Sequence, residues 1–142
     1  MKQDLKEIKT IDSGKAGPTV TIMGGVHGNE PCGVKTLLHL IENLELISGK
    51  VHLIFGNPRA IEKKVRYIDT NLNRIFKDDK DLSQKEKESY EYNRSREIMP
   101  YLIESDILID LHSISSKETD PFVICNEESL SLAKHLPVSI CC

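Results

Sequence analysis

The sequence predicts an α/β fold, a sheet covered by helices on both faces. Three observations carry that expectation: short apolar or β-branched runs bounded by turn residues, segments of helical apolar spacing between them, and polar clusters where the runs end. The strand runs are TVTIM (19–23), KVHLIF (50–55), DILIDL (106–111) and PFVIC (121–125). Between the first two lies PCGVKTLLHLIENLEL, where Val34, Leu37, Leu38, Ile41, Leu44 and Leu46 keep approximate helical spacing and Pro31 suits a first turn. Ahead of the third strand, SQKEKESYEYNRSREIMPYLIES predicts a long helix with an apolar stripe at Tyr90, Tyr92, Ile98 and Leu102, kinked or shortened at Pro100. The segment from Gly56 to Lys80 reads as a long irregular loop, and a loop of that length inside a compact domain is usually functional.

The bulk composition narrows the function classes. A chain of 142 residues with 39% hydrophobic content supports one domain with a real core. Net charge is -3, with acids and bases interspersed, which argues against nucleic acid or an anionic membrane as the main partner. The stretch KDDKDLSQKEKESYEYNRSRE is dense in charge but mixed in sign, as expected of a solvated helix face. The first fifteen residues lack the apolar core of a signal peptide and no run reaches membrane-spanning length, so the expected location is cytoplasmic. Cys32, Cys125, Cys141 and Cys142 show no CxxC spacing and read as reduced, mostly buried thiols.

In open α/β sheets, ligands collect beyond the carboxyl ends of the strands. Three polar clusters fall there: His27 and Glu30 after the first run, Asn57 to Arg59 after the second, and Asp110, His112 and Ser113 at the end of the third. A catalytic zinc takes about three protein ligands from nitrogen, sulfur or carboxylate donors and leaves one position to water. His27, Glu30 and His112 supply such a set, and Gly24, Gly25 and Gly28 allow a sharp bend at the first strand end. Within the irregular segment, RYIDTNLNRIF (66–76) sets Arg66 and Arg74 among apolar anchors. Rigidly held guanidinium groups suit carboxylate partners, whereas a surface loop with locally paired arginines is the alternative.

GGVHGNEPCG, GNPRA, RYIDTNLNRIF and DLHS, in this order and at these distances, resemble the succinylglutamate desuccinylase and aspartoacylase family, which shares its fold with the zinc carboxypeptidases. The resemblance runs from about Thr19 to Ser113. It implies a mixed sheet in an α/β/α arrangement, with residues 1–142 as the N-terminal zinc-binding part of a catalytic domain. By the same resemblance His27, Glu30 and His112 would ligate Zn²⁺, Arg66 would polarise the scissile carbonyl, Asn73 and Arg74 would hold a substrate carboxylate, and Asp110 would fix local geometry. The implied reaction is hydrolysis of the amide bond of an N-acyl amino acid such as N-acetylaspartate or N-succinylglutamate. Peptidase action on a C-terminal residue and a non-catalytic zinc-binding fragment are the alternatives.

Two departures stand out. The family pattern Asp-Leu-Asn-Arg is here Asn71-Leu72-Asn73-Arg74, which removes a supporting charge. Family members are also longer, with a general-base glutamate in a later Gly-x-Glu segment and a C-terminal β-rich domain that this chain lacks. The expectations are therefore weak hydrolysis by the 142 residues alone, and an exposed apolar surface that favours self-association into a homo-oligomer or aggregate.

Overall fold

The computed structural model describes residues 4–114 and 120–141, with backbone alone at 140 and 141. Its centre is a four-stranded mixed sheet in the order β1-β3-β2-β4. β2 (Thr19–Gly24) lies in the middle, parallel to β3 (Lys50–Phe55) on one side and to β4 (Ile107–Leu111) on the other. β1 (Lys9–Asp12) runs antiparallel to β3 along the outer edge. Parallel neighbours need long crossovers, and the apolar stripe of α1 (Pro31–Asn43) provides the first.

Alternation along β3 divides the core in two. Val51, Leu53 and Phe55 pack with Leu37, Val34 and Ile41 of α1 on one face. Ile54 joins Met23, Val26, Leu72 and Ile98 on the other, where α4 (Tyr90–Glu104) adds Tyr101 and Leu102. Helices thus cover both faces, as the sequence predicts. Because all three parallel strands point the same way, their carboxyl ends meet along one rim of the sheet.

Several local expectations need correction. The charged N-terminal stretch contains β1, whose pairing is helped by a 2.9 Å contact between Thr10 Oγ1 and His52 Nδ1; an exposed edge strand of four residues has no apolar run to announce it. The segment predicted to be irregular holds α2 (Pro58–Lys63), capped by Asn57 Oδ1 accepting from Ala60 N at 3.1 Å, and short 3-10 turns at Leu72–Arg74 and Asp79–Asp81. The predicted long helix is two: α3 (Gln84–Lys87), opened by a Ser83–Glu86 capping box, and α4. Ser89 makes the break, accepting from Tyr92 N and donating to Glu86 O. Pro100 is accommodated inside α4, exposed to solvent.

The buried stripe of α4 is Glu91, Arg94, Ser95 and Ile98, rather than one led by tyrosines, so the charge-rich stretch is not simply a solvated face. β5 (Phe122–Ile124) pairs with β6 (Ser139–Cys141) in a separate two-stranded sheet, past the 3-10 turn Glu127–Ser129 and α5 (Leu130–Ala133). Cys32 is exposed on the outer side of α1 and Cys125 is half-buried, against the expectation of buried thiols; Cys142 and the side chain of Cys141 lie outside the described residues. Among the described residues no helix is long and apolar enough to cross a membrane.

Candidate metal centre

The turn after β2 is forced by its glycines. Gly25 sits at φ 69°, a left-handed conformation that glycine adopts without a Cβ penalty. At Gly28 a Cβ would lie 2.0 Å from the carbonyl carbon of Ala60, so only glycine lets this turn rest against α2. The turn delivers His27 and Glu30 to the rim, both almost fully buried, at 4% and 8% exposure. Glu30 immediately precedes α1 and caps none of its amides with its side chain, which leaves the carboxylate for the site.

Three side chains named by the sequence converge there. His27 Nδ1 is 2.8 Å from Glu30 Oε1, and His112 Nδ1 is 3.1 Å from Glu30 Oε2. One donor atom from each lies within 4.8 Å of the others, and the two imidazole rings are 5.1 Å apart. Register explains the meeting: Gly24 pairs with Leu111 across the parallel β2/β4 ladder, so the next residues of both strands emerge side by side. Ser113 N donates to Glu30 Oε2 at 2.8 Å, while its buried Oγ has no hydrogen-bond partner among the described residues.

The far nitrogens of the two rings are also held. His112 Nε2 contacts Asp110 Oδ2 at 2.8 Å, and His27 Nε2 contacts Asn71 Oδ1 at 3.2 Å. Asn73 N also donates to Asn71 Oδ1, which marks that atom as an acceptor. The residue standing where the family pattern has aspartate therefore backs His27 with a neutral oxygen, and Asp110 backs His112 with a charged one. Electrostatics follow. Burial pushes the Glu30 carboxyl up, but hydrogen bonds from Ser113 N–H, His27 and His112 outweigh it and hold it below the usual carboxylate range. The Asp110 hydrogen bond raises His112 against the opposing effect of burial, with Glu30 adding to the rise.

The remaining predicted residues stand around this group. Arg66 Nη1 lies 3.4 Å from Glu30 Oε1, with the side chain half exposed. Asn73 Nδ2 is 3.4 Å from His112 Nε2, and Arg74 is exposed, its Nη1 3.4 Å from Asn73 O. Asn57 is withdrawn from the site as the cap of α2, and Arg59 stacks over the Tyr90 ring at 4.3 Å. The sequence does not single out Asn71 as a partner of His27, nor Glu91 at all. Asn71 had a signal in its departure from the family pattern, but a glutamate inside a charge-rich helix had none.

Fold and site together define an α/β protein with a His/Glu/His group at the carboxyl rim of its sheet, the donor pattern of a mononuclear metal hydrolase. The model of the succinylglutamate desuccinylase/aspartoacylase catalytic domain matches residues 16–137, and the chain belongs to this family. It is 35% identical over 121 residues to an N-acyl-aromatic-L-amino acid amidohydrolase (carboxylate-forming) of Xenopus tropicalis, covering 80% of this chain and 39% of that protein. The aspartoacylase of Rattus norvegicus is 37% identical over 108 residues, covering 68% and 34%. Among solved structures, an aspartoacylase family protein from Mesorhizobium loti superposes with a TM-score of 0.69 at 26% identity, over 89% of this chain and 43% of that one. The succinylglutamate desuccinylase of Vibrio cholerae gives 0.63 at 25% identity, over 78% and 35%. The chain thus spans about a third to two fifths of the length of these relatives.

Proposed function

We propose that this chain is the metal-binding part of a zinc-dependent amidohydrolase that cleaves the amide bond of an N-acyl amino acid, of the N-acetylaspartate or N-succinylglutamate type. The observation that carries the reading is the convergence of His27, Glu30 and His112 from two adjacent strand ends. Two imidazole nitrogens and a carboxylate suit zinc in number and kind. Each ring also turns Nε2 toward an oxygen acceptor that can hold a proton there, so Nδ1, which contacts Glu30 in the metal-free arrangement, can give up its proton and present a lone pair to the ion. The related amidohydrolases agree in reaction class.

His27, Glu30 and His112 would hold the ion, which when bound supplies Lewis-acid polarisation of a carbonyl and lowers the pKa of water. The protein's own groups do the rest. Asp110 and Asn71 orient the two imidazoles. Arg66, beside Glu30 yet half open to solvent, can meet negative charge developing on the amide oxygen. Asn73 and Arg74 offer amide and guanidinium donors to the substrate carboxylate, and a forked guanidinium contact orients it.

Metal analysis of the purified chain tests the centre: about one equivalent of zinc is expected, lost in His27→Ala and in His112→Ala but kept in His39→Ala. Equal zinc in wild type and His112→Ala refutes it. Release of the free amino acid from N-acetylaspartate, N-succinylglutamate and an N-acetylated aromatic amino acid then tests the reaction. A zinc-loaded protein that neither binds nor hydrolyses any of the three refutes that part.

A further inference from the structure

Glu91 is the second residue of α4, fully buried at 0% exposure, and is neither a candidate ligand nor a candidate substrate contact. Its carboxylate accepts four hydrogen bonds. Oε1 takes Ile68 N at 2.7 Å and Asn57 Nδ2 at 2.9 Å; Oε2 takes Asp69 N at 3.1 Å and Thr70 N at 3.2 Å. Three successive backbone amides thus converge on one side chain, which satisfies donors that would otherwise be stranded away from water. The clasp is reciprocal, since Asp69 Oδ2 accepts from Tyr90 N, next to Glu91, at 2.8 Å.

What this clasp holds is the strip of chain between two site contacts. Arg66, two residues before Ile68, reaches Glu30; Asn71, directly after Thr70, reaches His27 and leads into Asn73 and Arg74. The upstream end has a separate anchor, because Gly28 N donates to Arg66 O at 3.3 Å. Through Asn57, whose other amide atom caps α2, Glu91 also ties the strip to the end of β3. A helix that only needed burial at this position would use an apolar residue. A buried carboxylate surrounded by donors from residues 57, 68, 69 and 70 instead fixes backbone position.

We infer that Glu91 is a positioning residue: it sets the 68–74 strip so that Asn73 and Arg74 face the His27–Glu30–His112 group and receive the substrate carboxylate. The inference rests on the proposed function for the identity of that substrate, but not for the clasp itself. Glu91→Gln keeps the shape and replaces one acceptor oxygen by a donor that opposes the loop amides.

The test uses the full 142-residue chain loaded with zinc and two readouts. Amide hydrogen exchange at Ile68, Asp69 and Thr70 should accelerate at least about tenfold in Glu91→Gln. The dissociation constant for N-acetyl-L-aspartate, measured by calorimetry, should rise about 10- to 100-fold, while zinc affinity, touched by the strip through Asn71 alone, should fall by less, under about tenfold. A merely structural glutamate would not separate the two affinities. Unchanged exchange at 68–70, or parallel loss of zinc and N-acetylaspartate binding, overturns the inference. Should the glutamine variant not fold, Glu91→Asp, which retains charge but withdraws the oxygens by one methylene, is read by the same criteria. If wild type binds zinc but not N-acetylaspartate, the substrate assignment falls, and exchange at 68–70 alone decides the clasp.

Discussion

The ends of β2 and β4 contribute to one centre from opposite surroundings. β2 lies between two partner strands, and its turn residues His27 and Glu30 are pressed against α2 and α1. β4 is the edge of the described sheet; Leu108 is 51% exposed, Ile109 37%, and His112 stands open to solvent. Two candidate ligands are thus built into the core, and the third is carried on a strip with little packing of its own. A site of this kind couples the firm part of the fold to the loose part, because Glu30 must bridge both histidines for the donors to converge.

The largest expected effect tests the packing contrast directly. Leu53 on β3 is 0% exposed, so Leu53→Ala should cost about 2–5 kcal/mol in urea unfolding of the zinc-free protein, from lost transfer energy and the cavity left behind. Leu108→Ala on β4 should cost under about 1 kcal/mol, since half of that side chain already meets water. Equal losses would mean that β4 is as firmly held as β3, and the contrast would fail.

A second effect sharpens the comparison through the metal. If His112 is a ligand, opening β4 releases zinc, so free zinc at about a hundred times its dissociation constant should stabilise the closed strand by about 2.7 kcal/mol, a roughly hundredfold slowing of exchange. Exchange at 107–111 should show that slowing, and exchange at 122–124, a strand of another sheet carrying no candidate ligand, should not. Insensitivity of 107–111 to zinc would remove His112 from the site. Equal slowing of both segments would show that they open together and that the loose part is one unit.

The same contrast explains what the sequence could reveal. Apolar runs mark β2, β3 and β4 whether or not a strand is finally covered, and the residues at their ends carry chemistry that stands out against a glycine-rich turn or a strand terminus. Histidine and glutamate at 27, 30 and 112 were legible for that reason. The arrangement around them was not. Glu91 and Arg94 occupy the inward face of α4, where periodicity methods expect leucine; their partners are backbone amides and carbonyls such as Ile68 N and Phe55 O, which are supplied by distant segments and leave no mark on residue type. The same reasoning covers α2, a helix of six residues started by Asn57 and Pro58 and too short to show an apolar repeat. Cys32 departs from its expected burial because a thiol is apolar by type, whereas its place on α1 is set by which side of the helix faces the sheet.

The smallest predicted effect compares histidines in the two regions. His52, on β3, is 2% exposed, with Nδ1 2.9 Å from Thr10 Oγ1, Nε2 2.7 Å from Glu104 Oε1 and its ring edge-on to Tyr101. Burial lowers its pKa, and the attraction of Glu104 only partly offsets this, while Lys50 adds to the lowering. The unfolded chain therefore takes up this proton at higher pH than the folded one. The stability associated with neutral His52 is fully present above about 6.5, the ordinary histidine value, and is lost as pH falls through the folded value. His112 tilts the other way: its raised pKa adds stability below about 6.5 that fades as pH rises through the folded value. The two histidines partly cancel in the wild-type profile. Urea midpoints of zinc-free wild type and His52→Gln between pH 8 and pH 5 separate them. The variant, with no proton to gain at position 52, should lose less stability on acidification than wild type. Parallel profiles would show that His52 titrates as though it were in water, and that the firm half does not distinguish its charged from its neutral form.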